Sequence, residues 1–367
     1  MAYKATSDRI LFIITGLLTI FGLVMVYSAS SVMASKQFGF SFYYFLKQLA
    51  FAVIGCAALL WLMNADYHVW QKKKVIRICF LLSICALAVV FTQAKVNGAH
   101  RWLRLSFASF QPSELAKLVA IVFLAAFLHK YGSEINRFWT RLLPCVAVVG
   151  LIAGLIGFEP DLGQAVCILM IAGILLLVAG LDWRYVAGAA LAAVPVFYLA
   201  VIRVPFRWER IKSFLDPFQD PLRSGFQILQ SLTAVGSGGI FGVGLGAGQQ
   251  KMFFLPEAHT DFIFAVIGEE IGLVGTCLVA VAFLIFFFRG LRITLRAPDS
   301  FGFYLGLGIT LMIVVQAFIN ISMVLAMMPT KGIALPFISQ GGSSLLFNLV
   351  ATGILLNISH YADRTEG

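Results

Sequence analysis

The sequence predicts an all-α integral membrane protein: about ten transmembrane helices in one bundle, N- and C-termini cytoplasmic, and one long extracytoplasmic loop between helices 7 and 8. Three observations predict it. Of 367 residues, 60% are hydrophobic and 12% charged, with mean hydropathy +0.93, far from the balance of a soluble domain. Apolar runs of about 18 or more residues recur, each long enough to cross a hydrocarbon core of roughly 30 Å as a helix, and they do not alternate as barrel strands do. The positive residues sort onto alternate loops, as the positive-inside rule requires.

The first run, 10–28, ends in "YSAS", which resembles a signal-peptidase site. It is too long for a signal peptide and too many spans follow, so an uncleaved first helix is expected. The second and third runs, 46–64 and 76–93, enclose Lys72, Lys73, Lys74 and Arg77 on the inner side. The fourth and fifth, 112–129 and 142–158, enclose Lys130, Arg137 and Arg141, and the sixth and seventh, 163–181 and 185–203, enclose Arg184. The eighth, 262–288, delivers Arg289, Arg292 and Arg296 to the same side, and 301–326 and 343–360 complete the set. Short outer loops keep only Lys36, Lys47, Lys95, Arg101, Arg104 and Lys331. The net charge of +10 therefore marks cytoplasmic loops and not a nucleic-acid surface. Six cysteines lie in or at the edge of spans without C-x-x-C spacing, which is packing. With no linker in sight, residues 1–367 read as one polytopic domain.

The exception to short loops is 203–261, and loops of such length are usually functional or disordered. "RVPFRWERIKSFLDPF" mixes cations and aromatics at near-helical spacing, which suits a helix on the membrane surface. "DPFQDPLRSG" turns the chain, "FQILQSLTAVGSGG" reads as a second short helix, and "GIFGVGLGAGQQ" is glycine-rich. Gly242, Gly244 and Ala247 match a dinucleotide fingerprint by spacing, but no βαβ unit surrounds them. Tight turns or close backbone approach remain.

Ionisable residues inside spans usually serve a pathway or ligand. Glu114 and Lys117 are i,i+3 on the fourth span, and form either a self-neutralising pair or a polar site on a cavity. Glu159 and Asp161 open the sixth span, where Asp161 has N-capping available. Glu269 and Glu270 lie two turns into the eighth span and need donors or water. His100, Arg101, Trp102 and Arg104 precede the fourth span, as interfacial residues or as part of a site. Lys331 and the run from Ser339 to Ser344 precede the last span, where backbone amides, Ser343 and Ser344 can form an anion site. Glu257, His259 and Asp261 stand at the outer lip of the eighth span. All of these except the cytoplasmic cations lie on one side, which suits an amphiphilic substrate with an anionic head and a lipid tail.

"RWLRLSFASFQPSELAK", "PDLGQ", "SFLDPFQDPLRSGFQILQSLTAVGSGGIFGVGLG", "FLPEAHTDFIFAVIGEEIG" and "PTKGIALPFISQGGSSLL" resemble the SEDS proteins of bacterial cell-wall synthesis over nearly the whole chain. "PEAHTDF", "IGEE" and "PTKG" are similar to the division branch, FtsW, more than to the elongation branch, RodA. The resemblance implies a peptidoglycan glycosyltransferase that polymerises lipid II at the outer leaflet of the bacterial cytoplasmic membrane. It also implies work at the division septum with a class B penicillin-binding transpeptidase and other division proteins. The family's catalytic carboxylate falls on Asp261. Trp102, Glu114, Lys117, Lys331, Ser343 and Ser344 fall on motif positions tied to the site. Asp261 would be the base, with Glu257 and His259 positioning or tuning it. Lys331, Arg210 and the amides near Ser343 and Ser344, or a divalent cation such as magnesium or manganese, would stabilise the departing pyrophosphate, and Arg101 is a further substrate-binding candidate. Gln340 stands where the family usually has Tyr. A lipid II flippase is the alternative, although no internal repeat accompanies it; a non-catalytic scaffold leaves the outer ionisable cluster without a reason.

Overall fold

The computed structural model describes residues 7–93, 101–104, 109–252 and 254–362. His100 and Lys95 lie outside the described residues. The chain forms helices α1 (Arg9–Phe38), α2 (Tyr43–Asn64), α3 (Lys73–Val90), α4 (Pro112–Tyr131), α5 (Leu143–Phe158), α6 (Leu162–Val178), α7 (Trp183–Phe197), α8 (Pro205–Leu215), α9 (Phe226–Ser237), α10 (Ile263–Leu295), α11 (Ser300–Val324) and α12 (Gly342–Ala362). A two-residue antiparallel ribbon, β1 (Leu103–Arg104) with β2 (Ser109–Phe110), precedes α4. Every apolar run coincides with one of these helices. Among the described residues eight helical stretches are long and apolar enough to cross a membrane, and α6 is a shorter apolar helix of 17 residues. α3 opens on Lys73, Lys74 and Arg77, which interrupt its apolarity at one end.

Local chemistry sets the helix ends. Asp8 caps α1 by accepting from Leu11 N at 2.9 Å, and Gly39 ends it in the left-handed region at φ 69°. Pro112 begins α4, where a missing N–H costs nothing. Asp161 caps α6 through Gln164 N at 3.3 Å, the capping role its position allowed.

Amphipathicity is inverted relative to a soluble bundle, because lipid replaces water outside. Leu17, Ile20, Leu278 and Phe288 point outward from α1 and α10, while Thr310, Gln316, Asn320, Asn348, Thr352 and Asn357 are buried along α11 and α12. α11 and α12 are the innermost helices, packed against α4, α10 and α2. α7 stands at the other extreme, with no buried residue.

Tertiary contacts divide the helix ends into two sets. At one end Arg289 Nε and Nη2 donate to the Asp8 carboxylate at 2.5–3.1 Å, Asp8 N donates to Ser359 Oγ at 3.1 Å, and His129 Nδ1 lies 2.6 Å from Ser300 Oγ. Tyr67 OH donates to Asp299 there as well. At the other end Arg101, Asp161, Asp261, Gln48 and Ser343 gather. This division matches the alternation of basic loops. A cysteine placed at exposed Gln219 is therefore expected to react with an impermeant maleimide added outside intact cells, and one at Lys73 is not; the reverse labelling would invert the topology.

The segment 203–261 does not stay outside the bundle. Its glycine-rich part descends beside α10, which is broken at Gly272 (φ 75°, ψ −162°). A broken helix in lipid must satisfy its freed backbone groups within the protein. Leu273 N and Val274 N donate to the carbonyls of Gly239 and Ile240 at 2.9 and 3.1 Å. In return Val243 N and Gly244 N donate to the carbonyls of Glu269 and Glu270, each at 3.0 Å. The glycines serve this approach: a Cβ on Gly242 would collide with the Glu270 carbonyl, and one on Gly272 would sit 2.6 Å from Ile240 O. Gly272→Ala is expected to lower the melting midpoint in detergent through about 1–3 kcal/mol of backbone strain plus that collision; an unchanged midpoint would refute the tight approach.

The same descent answers what Glu269 and Glu270 bond. Glu269 Oε1 accepts from Gln249 N and Gln250 N at 2.7 and 3.1 Å. Glu270 is buried with Lys251, at 2.5 Å, and both bond Ser28 of α1. Both carboxylates are structural here, anchoring the re-entrant chain to α10 and α1.

Candidate active site at the outer helix ends

Asp261 ends the turn that leads into α10. The preceding residues fix that turn: Glu257 adopts φ 55°, and its carbonyl accepts from Thr260 N at 3.1 Å and Phe262 N at 3.2 Å. Its carboxylate accepts from Thr260 Oγ1 at 2.8 Å. Three consecutive carbonyls of the turn are then captured from elsewhere. His259 O accepts from Gln340 N at 3.0 Å, Thr260 O from Ser339 Oγ at 2.5 Å and Asp261 O from Asn320 Nδ2 at 2.8 Å. The backbone of Asp261 is thus rigid while its side chain does no capping: α10 starts from Phe262 with no side-chain cap.

Burial pushes the Asp261 carboxyl up to about 7, and the negative charge of Glu257 adds to the shift against the pull of Arg101 and Arg210. Asp261 Oδ2 and Arg101 Nη1 face Gly332 together; a Cβ there would lie 2.9 and 3.5 Å from them, so glycine keeps this space open. Arg101 Nη2 donates to Pro160 O at 2.6 Å, and its Nε lies 3.9 Å from Asp161. Arg210, on α8, reaches Thr330 O at 3.3 Å. Lys331 packs over Gly163 in the first turn of α6; burial lowers its ammonium, and Asp161 opposes that. Glu159 is buried too, and burial with Asp161 beside it raises its carboxyl to about 8. Arg101, Arg210 and Lys331 therefore surround Asp261 and Asp161 with positive charge, brought from three separate parts of the chain.

Beneath them runs a buried polar network. Gln111 Nε2 donates to Asp161 at 3.4 Å, and Gln164 Nε2 donates to Glu114 Oε1 at 2.8 Å. Lys117 is fully buried, 3.1 Å from Glu114 Oε2, and donates to Gln164 and Gln316 at 3.1 and 2.5 Å. The pair expected from spacing is present, and it is embedded in amides.

Trp102 turns away from Arg101 and lines a cavity of about 120 Å³ with Lys47, Gln48, Ser109, Thr260, Gln340, Gly341 and Gly342. Gln340, in place of the family's tyrosine, is therefore a wall of the cavity. His259 is buried beside Tyr44, with ring centroids 4.9 Å apart, and burial lowers its imidazole, which suits a neutral positioning group. Ser343 and Ser344, expected at an anion site, are both buried at the start of α12. Ser343 Oγ accepts from Gln111 N at 3.1 Å, Ser344 Oγ from Asn348 at 3.3 Å, and Gly341 N is taken by Gln48 Oε1 at 3.2 Å. Packing of α12 against α2 and α4 thus buries both hydroxyls and uses them as acceptors, while their O–H donors are committed by neither bond. Among the described residues no three His, Cys, Asp or Glu side chains are grouped to hold a metal ion.

Sequence reading missed Gln48, Gln111, Gln316, Asn320 and Lys251. Gln316 and Asn320 carried a signal: they are i,i+4 within an apolar span, where polar side chains need partners.

Residues 8–364 match the family model of the cell cycle proteins FtsW, RodA and SpoVE. The chain is 44% identical over 353 residues to the probable peptidoglycan glycosyltransferase FtsW of Geobacter metallireducens, covering 96% of this chain and 94% of that one. It is 43% identical to the stage V sporulation protein E of Bacillus subtilis, covering 98% of each. A solved chain from a peptidoglycan synthase complex superposes with a TM-score of 0.80 at 28% identity, covering 98% of this chain and 99% of that one.

Proposed function

From a chain that belongs to the FtsW, RodA and SpoVE family of cell cycle proteins, we propose a division-type peptidoglycan glycosyltransferase that polymerises lipid II at the outer leaflet. It is a multi-pass membrane protein. The observation that carries the catalytic reading is Asp261: a carboxylate on a pinned backbone, free of capping duty, and faced by Arg101.

In this reading Asp261 takes the proton from the 4-hydroxyl of the acceptor sugar as that oxygen bonds the anomeric carbon of the donor. The bond from that carbon to undecaprenyl pyrophosphate breaks on the opposite face, so an α-linked donor gives a β-linkage. Arg101, Arg210 and Lys331 meet the charge that develops on the leaving pyrophosphate. Trp102 and the cavity beside Thr260 offer a wall for a sugar ring. Glu114 and Lys117 act from below through Gln164 and Gln316. A class B penicillin-binding transpeptidase is the proposed partner and the septum the proposed location.

Purified chain with purified lipid II, alone and with that transpeptidase, tests the reading. Glycan strands are the expected product. Lipid II crossing a vesicle membrane without any polymer would establish the flippase instead. The acid limb of kcat/KM is expected near pH 7, since a carboxyl raised to about 7 becomes a competent base only as pH climbs through that value. A limb near pH 4 would mean that Asp261 works without the upward shift that its burial gives it, and no acid limb at all would remove it from the role.

A further inference from the structure

Two amides on one face of α11 reach Asp261, Lys117 and the stretch that carries Lys331. Asn320 is wholly buried, and its Nδ2 donates to Asp261 O at 2.8 Å and to Ile333 O at 2.7 Å. Gln316, one turn earlier and equally buried, donates from Nε2 to Ala334 O at 2.9 Å while its Oε1 accepts from Lys117 Nζ at 2.5 Å. The partners dictate the orientation of both amides, because carbonyl oxygens demand N–H and an ammonium demands oxygen.

Their catch is an irregular stretch. Residues 329–335 form neither helix nor strand, so nothing regular fixes the position of Lys331 or Gly332. The amides seize two consecutive carbonyls, Ile333 and Ala334, directly after them. Asn320 seizes the Asp261 carbonyl with the same nitrogen. One side chain thereby sets the spacing between Asp261 and the Lys331 segment, and the next ties that segment to the Glu114–Lys117 pair.

We infer that Asn320 and Gln316 are positioning residues for glycosyl transfer, a two-rung amide ladder that holds the Lys331 segment in register with Asp261 above and Lys117 below. The inference rests on Asp261 being the base. Packing alone would not call for amides here, since an unpaired amide in a membrane bundle is costly and an aliphatic side chain would fill the volume. Displacement of a reacting group by about 1 Å can cost 100-fold in rate, and this ladder is what opposes such displacement.

Asn320→Asp is nearly isosteric and replaces a two-proton donor by a group that cannot bond two carbonyls. Gln316→Glu keeps an acceptor for Lys117, loses the bond to Ala334 and adds a second carboxylate to the Lys117 ammonium. Both variants, Asn320→Ala, Asp261→Asn and the parent would be purified with the partner transpeptidase, normalised to folded protein, and assayed on lipid II across pH. Asn320→Asp is expected to lose roughly 10- to 100-fold in kcat with little change in KM. In Asn320→Ala, which removes the same bonds without adding a charge beside Asp261, the acid limb should move toward the ordinary carboxylate range as water reaches a loosened Asp261. Gln316→Glu should lose less, with the same sign. Should Asn320→Asp fail to fold, Gln316→Glu carries the test alone. Parent kcat and parent pH profile in the folded amide variants, beside an inactive Asp261→Asn, would overturn the ladder and leave the base standing. An active Asp261→Asn would overturn the base instead, and the ladder with it. A loss that is uniform across pH and vanishes once rates are normalised to folded protein would reduce the amides to scaffolding.

Discussion

Asp261→Asn is expected to insert, fold and bind its partner normally while losing roughly 10² to 10⁴ in the rate of glycan synthesis, the worth of a general base. The substitution keeps the shape and removes the basicity. The competing role, a cap for α10, carries a penalty near 1 kcal/mol on loss and tolerates Asn well; the structure already assigns the N-cap position to Phe262 without a side-chain bond. The backbone carbonyl of Asp261, held by Asn320, is unaffected by the change, so the turn should persist. Glu257→Gln should do less damage, because the main chain of Glu257 holds the turn through Thr260 N and Phe262 N. Its lost charge should also let the Asp261 carboxyl fall slightly, moving the acid limb to lower pH. Glycan synthesis at the parent rate by folded Asp261→Asn would leave the site without a base.

Removing one member of the Glu114–Lys117 pair is expected to cost roughly 3 to 5 kcal/mol, because the remaining charge is left buried without its counterion. Lys117 has no exposure and Glu114 has 1%, so water cannot step in. Lys117→Ala strands the Gln316 and Gln164 oxygens, and Glu114→Ala strands Gln164 Nε2. Exchanging the two residues should restore part of the stability and little of the activity. Gln164 can turn its amide to suit, but Gln316 is committed through Ala334 and would present its oxygen to a carboxylate. The measurement is the melting midpoint of each purified variant beside its rate on lipid II. Full stability in both alanine variants would mean the pair is solvated and the network incidental.

How much of this was legible depended on the range of each interaction. The Glu114–Lys117 pair was readable because i,i+3 spacing on a helix places the two side chains together whatever else the chain does. The Asp161 cap was readable for the same reason. Glu270 was read as a buried acid in need of a partner, and its partners could not be named: Ser28 lies 242 residues away, and Lys251 sits in a loop that re-enters beside α10. The partner of Ser343 could not be named either: its Oγ accepts from Gln111 N, 232 residues away across the bundle.

By itself the sequence determined the solvent of this protein and the positions of its helices, since apolar length acts locally and independently of packing. Its motifs also determined the family. Tertiary structure alone decided which buried polar group meets which: Asn320 with Asp261, Gln316 with Lys117, and the glycine-rich segment with the break in α10. In a bundle surrounded by lipid each such group must find a partner inside the protein, and the choice of partner is set by which helices come to lie side by side.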